Sequence, residues 1–300
     1  MNRALNIIIT IAGGLVVHAL FGQTISCGDL QRIQEFPSAY AGPHTVDIWI
    51  PPGYNESSKP GRVLIMQDGQ NLFDPATAYG GVEWQVDETL CGLWKEGVSD
   101  LPLVVGIWNT AVRRKSYYPT EVFESLNTES RNAVLPGQPF EAMGEDYAAF
   151  IIEELLPWLR NSYNVSPAVE DVYLGGSSMG GLISCYTWCR YPQVIGGVLM
   201  FSTHWIGNFR YEYDPVIAEA MTDWFCSHLP APESHAIWMD RGTEGLDSLY
   251  AIPQEVIDHC IFSKGFSPQQ MQSSVAAGET HNEASWSRRF PQAIRWMLRE

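Results

Sequence analysis

Three hundred residues, 45% of them hydrophobic and 17% charged, describe an ordinary globular chain with a sizeable core. A formal net charge of −16 argues against nucleic acid or an anionic membrane surface as a partner, and says nothing about neutral substrates. Six cysteines are compatible with disulfides in an oxidising compartment, and their spacing suggests no metal site.

Residues 1–22 read as an export signal. Arg3 supplies a positive start, Ala4 to Phe21 is nearly all apolar, and Gly22 precedes a polar stretch from Gln23. A membrane anchor is the rival reading, because the run approaches the roughly 20 residues a spanning helix needs. Gly13, Gly14 and His18 weaken it. A lipid on Cys27 is a further alternative, poorly matched by Thr24-Ile25-Ser26 ahead of it. Residues 23–300 are expected to form one exported domain, periplasmic or extracellular, with no stable span after signal removal.

His44 to Ile50 alternates Val46, Ile48 and Ile50 with Thr45, Asp47 and Trp49, the pattern of a half-exposed strand, and Pro51-Pro52-Gly53 ends it. Arg62 to Met66 is a continuous apolar run and reads as a buried central strand, followed at once by Gln67 to Asp74. Leu101 to Trp108 gives the next buried strand. Asn109 to Met143 is too long and polar for an idle connection, and is expected to form the rim or lid of a pocket. Glu145 to Tyr163 is a helix with Tyr147, Phe150, Ile151, Leu155 and Leu159 on one face, kinked at Pro157.

Val172-Tyr173-Leu174 is a short strand running into Gly-Ser-Ser-Met-Gly, Gly176 to Gly180. A helix follows, with Leu182, Cys185, Tyr186 and Cys189 at helical spacing, the two cysteines read as buried thiols. Gly-x-Ser-x-Gly between strand and helix is a nucleophile elbow. Its turn is so tight that side chains beside the serine would clash, hence the glycines. Ser178 is the nucleophile, since it alone sits two residues from both flanking glycines; Ser177 does not. The backbone N–H of Met179 then lies where an oxyanion forms.

Further on come a strand Gly197 to Phe201, the segment Ser202-Thr-His-Trp205, a helix Val216 to His228 and a strand Ala236 to Met239. The turn Arg241 to Asp247, a helix Gln254 to Phe262, a strand Met271 to Val275 and the loop Gly278 to Asn282 follow. The last helix carries Trp286, Phe290, Ile294 and Met297 on one stripe. Strands alternating with helices predict an α/β fold with a mostly parallel sheet and ligands at the strand C-terminal ends.

A serine nucleophile needs a base and an oriented acid, in the hydrolase chain order Ser, Asp or Glu, then His. His281, after the last strand and before the last helix, is the base. The acid belongs in the loop after the penultimate strand, which offers Asp240, Glu244 and Asp247. The second oxyanion donor is expected after Met66, from the N–H of Gln70. Arg113, His204 and Trp205 are expected to line the pocket and influence substrate choice.

These residues carry a resemblance. FPSAYAGPHTVDIWIPPGY, MQDGQNLFD, GIWNT with Arg113 and Tyr117-x-Pro119, GGSSMGGLIS, FSTHW, GTEGLDSLY and GETHNEASW occur in one order from Phe36 to the C-terminus. The chain resembles the "putative esterase" family, which includes esterase D, feruloyl and acetyl-xylan esterases and enterobactin-type trilactone esterases, and within it the exported bacterial branch. The resemblance implies an α/β-hydrolase fold, no cofactor, and ester hydrolysis on Ser178, His281 and an acid in the GTEGLD loop. In such relatives a carboxylate a few residues past a Gly-Thr or Gly-x pair contacts the histidine, an offset Asp247 fits if Gly245-Leu246 is a short insertion, and Asp247 is preferred on that ground. His44 stands where relatives often show arginine and Ser116 where they often show glutamate, departures expected to alter the rim.

The expected activity is a serine carboxylesterase acting on a small-molecule or glycan-linked ester. The rivals are an acyltransferase using the same triad and a non-catalytic glycan-binding relative. Nothing in the sequence sets the oligomeric state.

Overall fold

The computed structural model describes residues 25–54 and 59–299, and the backbone of two strands nearer the amino terminus. Among the described residues, one sheet of ten strands organises the chain: β1 Ile8–Thr10, β2 Val16–Ala19, β3 Asp29–Phe36, β4 His44–Ile50, β5 Val63–Gln67, β6 Leu103–Ile107, β7 Val172–Ser177, β8 Gly197–Phe201, β9 Ala236–Gly242 and β10 Met271–Ala276. Their order is β1-β2-β3-β4-β6-β5-β7-β8-β9-β10. From β6 to β10 every neighbouring pair is parallel; from β1 to β4, and between β4 and β6, pairing is antiparallel. This is the α/β-hydrolase arrangement. The export signal expected over 1–22 lies outside the described residues except for β1 and β2, which form the edge of the sheet beyond β3. Removal of the signal would take these two strands and leave β3 to β10 paired as they are.

Every residue of β5, β6, β7 and β8 is buried, which is why their sequences are continuous apolar or small-residue runs. The two-residue period divides them between two cores. Val63 and Ile65 face one side of the sheet, Leu64 and Met66 the other. Helix α1 (Val86–Lys95) covers the second side with the C-terminal helix. Between β6 and β7 lie α2 (Arg113–Ser116), α3 (Thr120–Ser125), α4 (Thr128–Val134), α5 (Gly144–Ala149) and α6 (Leu156–Ser162). Then come α7 (Met179–Arg190), α8 (Pro215–His228), α9 (Ala251–Ser263) and α10 (Glu283–Leu298). The stretch expected as the rim or lid of a pocket, Asn109 to Met143, carries three short helices, α2, α3 and α4. Between α5 and α6 the chain runs as a π-helix, Phe150–Leu155. It lies immediately before Pro157, whose ring nitrogen cannot donate to a carbonyl one turn back.

The half-exposed strand expected at 44–50 is instead buried on both faces. Trp49 is fully buried, its Nε1 donating to Cys27 O at 2.9 Å. Asp47 is 1% exposed and accepts Arg32 Nε and Nη2, at 2.6 and 2.7 Å, and Trp108 Nε1 at 2.8 Å. Alternation misleads here because β3, which supplies Arg32, pairs along β4 and neutralises a residue that would otherwise need water.

Disulfides join Cys27 to Cys91 and Cys226 to Cys260, while Cys185 and Cys189 are free and buried. Among the described residues no helix is long and apolar enough to cross a membrane.

Burial pushes the Asp47 carboxyl pKa up and Arg32 pulls it back, so the pair stands or falls together. Arg32→Met should therefore cost about 3–5 kcal/mol by stranding a buried carboxylate. Replacing both residues with apolar ones should cost much less. Urea unfolding midpoints of the single and double variants check this.

Candidate active site

The turn from β7 to α7 is built by three glycines and one strained residue. Ser178 has φ 55° and ψ −123°, a region that non-glycine residues occupy at a cost of order 1–3 kcal/mol. A β-carbon at Gly176 would lie 2.8 Å from the backbone carbon of Gly180, and one at Gly181 would lie 2.8 Å from Thr203 Oγ1. Ser178 N–H donates to Phe201 O at 2.9 Å, which pins the turn to the end of β8.

Ser178 and His281 line one cavity of about 490 Å³ at the C-terminal ends of the parallel strands. Behind His281, its Nδ1 lies 2.6 Å from Asp247 Oδ1. Asp247 is wholly buried in a short 3-10 turn, Gly245–Tyr250. Its Oδ2 accepts Ser202 Oγ–H and Gly242 N–H, each at 2.6 Å. Burial alone would raise its pKa. The donors His281, Ser202 and Gly242 outweigh burial and hold the carboxyl below its ordinary value, so it is ionised at neutral pH. The His281 ring is wedged edge-on between Trp286, at 5.0 Å, and Tyr250, at 5.6 Å.

The other two carboxylates of the loop stand elsewhere. Strand β9 runs past Met239 to Gly242, so Asp240 is a strand residue, buried and paired with Arg289 Nη2 at 3.0 Å. Glu244 is exposed.

The opposite wall follows β5. Asp68 has φ 57°, and a β-carbon at Gly69 would lie 2.3 Å from the backbone of Gly106, so only glycine fits there. The Asp68 carboxylate accepts Arg113 Nε and Nη2 at 2.6 and 2.7 Å and Asn109 Nδ2 at 2.6 Å. Burial works to lower the Arg113 pKa, but Asp68 overrides it and the net shift is upward. Arg113 also lies over the Tyr117 ring at 4.9 Å. Gln70 and Met179, expected to offer their N–H groups, both line the cavity, and the Gln70 side chain accepts Asn109 N–H at 3.1 Å.

His204 also lines the cavity. Its Nε2 is 3.0 Å from Asn208 O and its Nδ1 2.8 Å from Tyr250 Oη. A carbonyl can only accept, so Nε2 carries the proton. Burial, aided by nearby His281, lowers the His204 pKa to about 3 and keeps the ring neutral. Nδ1 is then an acceptor, and the Tyr250 hydroxyl donates to it.

Trp205, expected at the pocket, is not there. It is fully buried, edge-on to Phe225 at 5.2 Å, with Nε1 donating to Gln254 Oε1 at 3.3 Å. The chain turns inward after His204, and the indole fills the space under α8. His44 and Ser116, expected to alter the rim, are buried and outside the cavity; His44 stacks on Phe150 at 5.0 Å. Sequence reasoning misses Ser202, Tyr250, Asn109, Tyr211 and Trp286 as site neighbours, although Ser202, Tyr250 and Trp286 lie within the FSTHW, GTEGLDSLY and GETHNEASW blocks.

A family model described as "Putative esterase" matches residues 38–297. The chain belongs to this esterase family. It is a carboxylic ester hydrolase. It is 23% identical over 265 residues to the uncharacterized protein YbbA of Bacillus subtilis (strain 168), an alignment covering 86% of this chain and 93% of that protein. Among solved structures, this esterase is similar in fold to a ferulic acid esterase, with TM-score 0.64 and 16% identity, over 90% of this chain and 98% of that one. It is also similar to the enterobactin esterase FES of Shigella flexneri, with TM-score 0.60 and 18% identity, over 92% of this chain and 61% of that one.

Because Trp205 packs in the core, Trp205→Ala should lower stability by about 3–5 kcal/mol. It should leave the relative rates on small and bulky esters unchanged in the folded fraction. A melting curve and an ester panel on one preparation check both.

Proposed function

We propose that this esterase is an exported serine hydrolase working through Ser178, His281 and Asp247. The observation that carries the proposal is the 2.6 Å contact from His281 Nδ1 to a buried, ionised Asp247, with His281 and Ser178 sharing one cavity. With Nδ1–H held by Asp247, the imidazole presents its Nε2 lone pair as a base. His281 takes the Ser178 proton as Oγ attacks the ester carbonyl. The N–H groups of Met179 and Gln70 receive the oxyanion, each donor of this kind being worth about 3 kcal/mol in other hydrolases. His281 returns the proton to the leaving alcohol, and water then releases the acyl group by the same steps in reverse order.

The substrate proposed is an acylated carbohydrate or a feruloyl-type ester. Aromatic rings at the cavity, Tyr79, Phe209, Tyr211 and Trp286, suit a planar or sugar-bearing group, and the likeness to a ferulic acid esterase supports the same class. A trilactone is the second candidate, through the likeness to the enterobactin esterase. Transfer of the acyl group to an alcohol other than water would use the same residues. Product analysis with and without added alcohol separates hydrolysis from transfer.

Export is supported by the two disulfides, which persist in oxidising compartments. The Cys27–Cys91 disulfide supports the cleaved-signal reading over a lipid on Cys27, because a sulfur in a disulfide cannot also carry a thioether. Amino-terminal sequencing of the mature protein should find a start close to Gln23; an intact Met1 in the membrane fraction would speak for an anchor.

Ser178→Ala should abolish ester turnover and fluorophosphonate labelling without changing the melting temperature, whereas Ser177→Ala should retain both. Asp247→Asn should lower kcat by about 10⁴ by offering the wrong hydrogen-bonding partner to His281. Equal losses in the two serine variants would show the wrong serine had been chosen.

A further inference from the structure

Ser202 follows β8 with φ 46°, a left-handed conformation uncommon outside glycine. Its hydroxyl oxygen receives two obligate donors, Trp286 Nε1 at 3.0 Å and Arg289 Nη2 at 2.8 Å. Neither an indole N–H nor a guanidinium can accept. Both lone pairs of Oγ are therefore occupied, and the one hydroxyl proton has a single remaining direction, to Asp247 Oδ2 at 2.6 Å. Arg289 in turn is anchored by Asp240 at 3.0 Å. Ser202 is wholly buried and Arg289 is 8% exposed, so water does not compete for these bonds.

We infer that Ser202, with its hydroxyl aimed by Arg289 and Trp286, is a positioning residue for Asp247. This inference rests on Asp247 acting as the partner of His281. The hydroxyl does two things to the carboxylate. It fixes the rotation that points Oδ1 at His281 Nδ1, and it takes up part of the carboxylate charge. The second effect limits how strongly Asp247 holds the imidazolium that forms when Ser178 gives up its proton. Trp286 joins both ends of the arrangement, because its ring rests edge-on against His281 while its N–H holds Ser202. Other groups acting on the pair are His204 and Tyr250 beside His281, and Asp240 beside Asp247.

Loss of the hydroxyl should make Asp247 a stronger partner for the imidazolium and its direction less certain. The test compares Ser202→Ala and Ser202→Gly, the latter compatible with φ 46° should alanine disturb the turn. Each is made alone and in an Asp247→Asn background. The expected result is a fall in kcat of about tenfold to a hundredfold, the size of one hydrogen bond to a charged group, with KM nearly unchanged. The acid limb of the kcat/KM–pH profile should move to higher pH, and the Ser202 effect should shrink sharply in the Asp247→Asn background. Rates are expressed per site titrated with a fluorophosphonate. A loss explained by fewer titratable sites, with an unmoved acid limb, would overturn the inference and leave Ser202 a packing residue. So would a Ser202 effect that is undiminished in the Asp247→Asn background. Near-normal activity of Asp247→Asn alone would overturn the triad reading and this inference with it.

Discussion

A carboxylate with no exposed surface has to find in the protein every hydrogen bond that water would have offered. Asp247 finds three, and each comes from a different part of the sheet: Gly242 at the end of β9, Ser202 after β8, and His281 in the loop after β10. The parallel register aligns these ends, with Phe201 opposite Asp240 and Gly242 opposite Ala276. Ser202 N–H donates to Asp240 O and Thr243 N–H to Glu279 O, which carries the alignment past the last paired residues. A one-residue slip would turn every side chain on the slipped strand to the other face. It would also leave a buried charge uncompensated, at several kcal/mol. Fold and site therefore share one constraint.

The far wall of the cavity depends on a second buried carboxylate in a similar way. Asp68 sits in a left-handed turn after β5, possible because Gly69 can pass against the backbone of Gly106 in β6. Its oxygens collect Arg113 and Asn109 from the segment after β6. Farther along, the same segment is anchored by Tyr118, Val122 and Val134, which are buried in the core. Arg113 also stacks on Tyr117, whose hydroxyl accepts Asp68 N–H at 3.3 Å. Each wall is thus a loop folded onto one anion, and Ser178, at the tip of a strained turn on the central strand β7, lies between them.

The sheet is legible in the sequence because a strand buried on both faces is written as an unbroken apolar run, and because the elbow needs glycines at fixed offsets from its serine. The order and loop positions such sites require point to His281 and to the loop that holds Asp240, Glu244 and Asp247, and leave the choice among those three acids to the offset seen in resembling proteins. Other features leave no mark of that kind. The polar residues of β4 read as solvent-facing, since nothing local to Asp47 signals that Arg32 will arrive from a neighbouring strand. Trp205 reads as a pocket residue because it leaves a strand end beside His204; the direction of a side chain after a strand is set by tertiary packing against α8, not by position in the chain. Ser202 escapes notice because a serine after a strand is among the commonest loop residues. Its importance arises only when α10, more than eighty residues later, brings Arg289 and Trp286 to it.

The comparison of Asp240 with Asp247 shows what aligned donors add to burial, which works to raise the pKa of both. Both side chains are almost completely withdrawn from water, and both belong to the same short stretch of chain. Burial pushes the Asp240 pKa to about 6 despite the Arg289 charge beside it, because the ion pair brings too few aligned donors to its oxygens. Asp247, with three donors aimed at its lone pairs, is held below the ordinary value instead. Of two equally hidden acids, the one surrounded by aligned donors remains a dependable anion across the neutral range. Arg289 serves both, pairing with Asp240 through its charge and with Ser202 through its N–H, so the weaker acid holds in place the group that orients the stronger one. A helix-borne arginine is suited to that task because its charge is permanent: the one nitrogen Nη2 donates to Ser202 while lying 3.0 Å from Asp240.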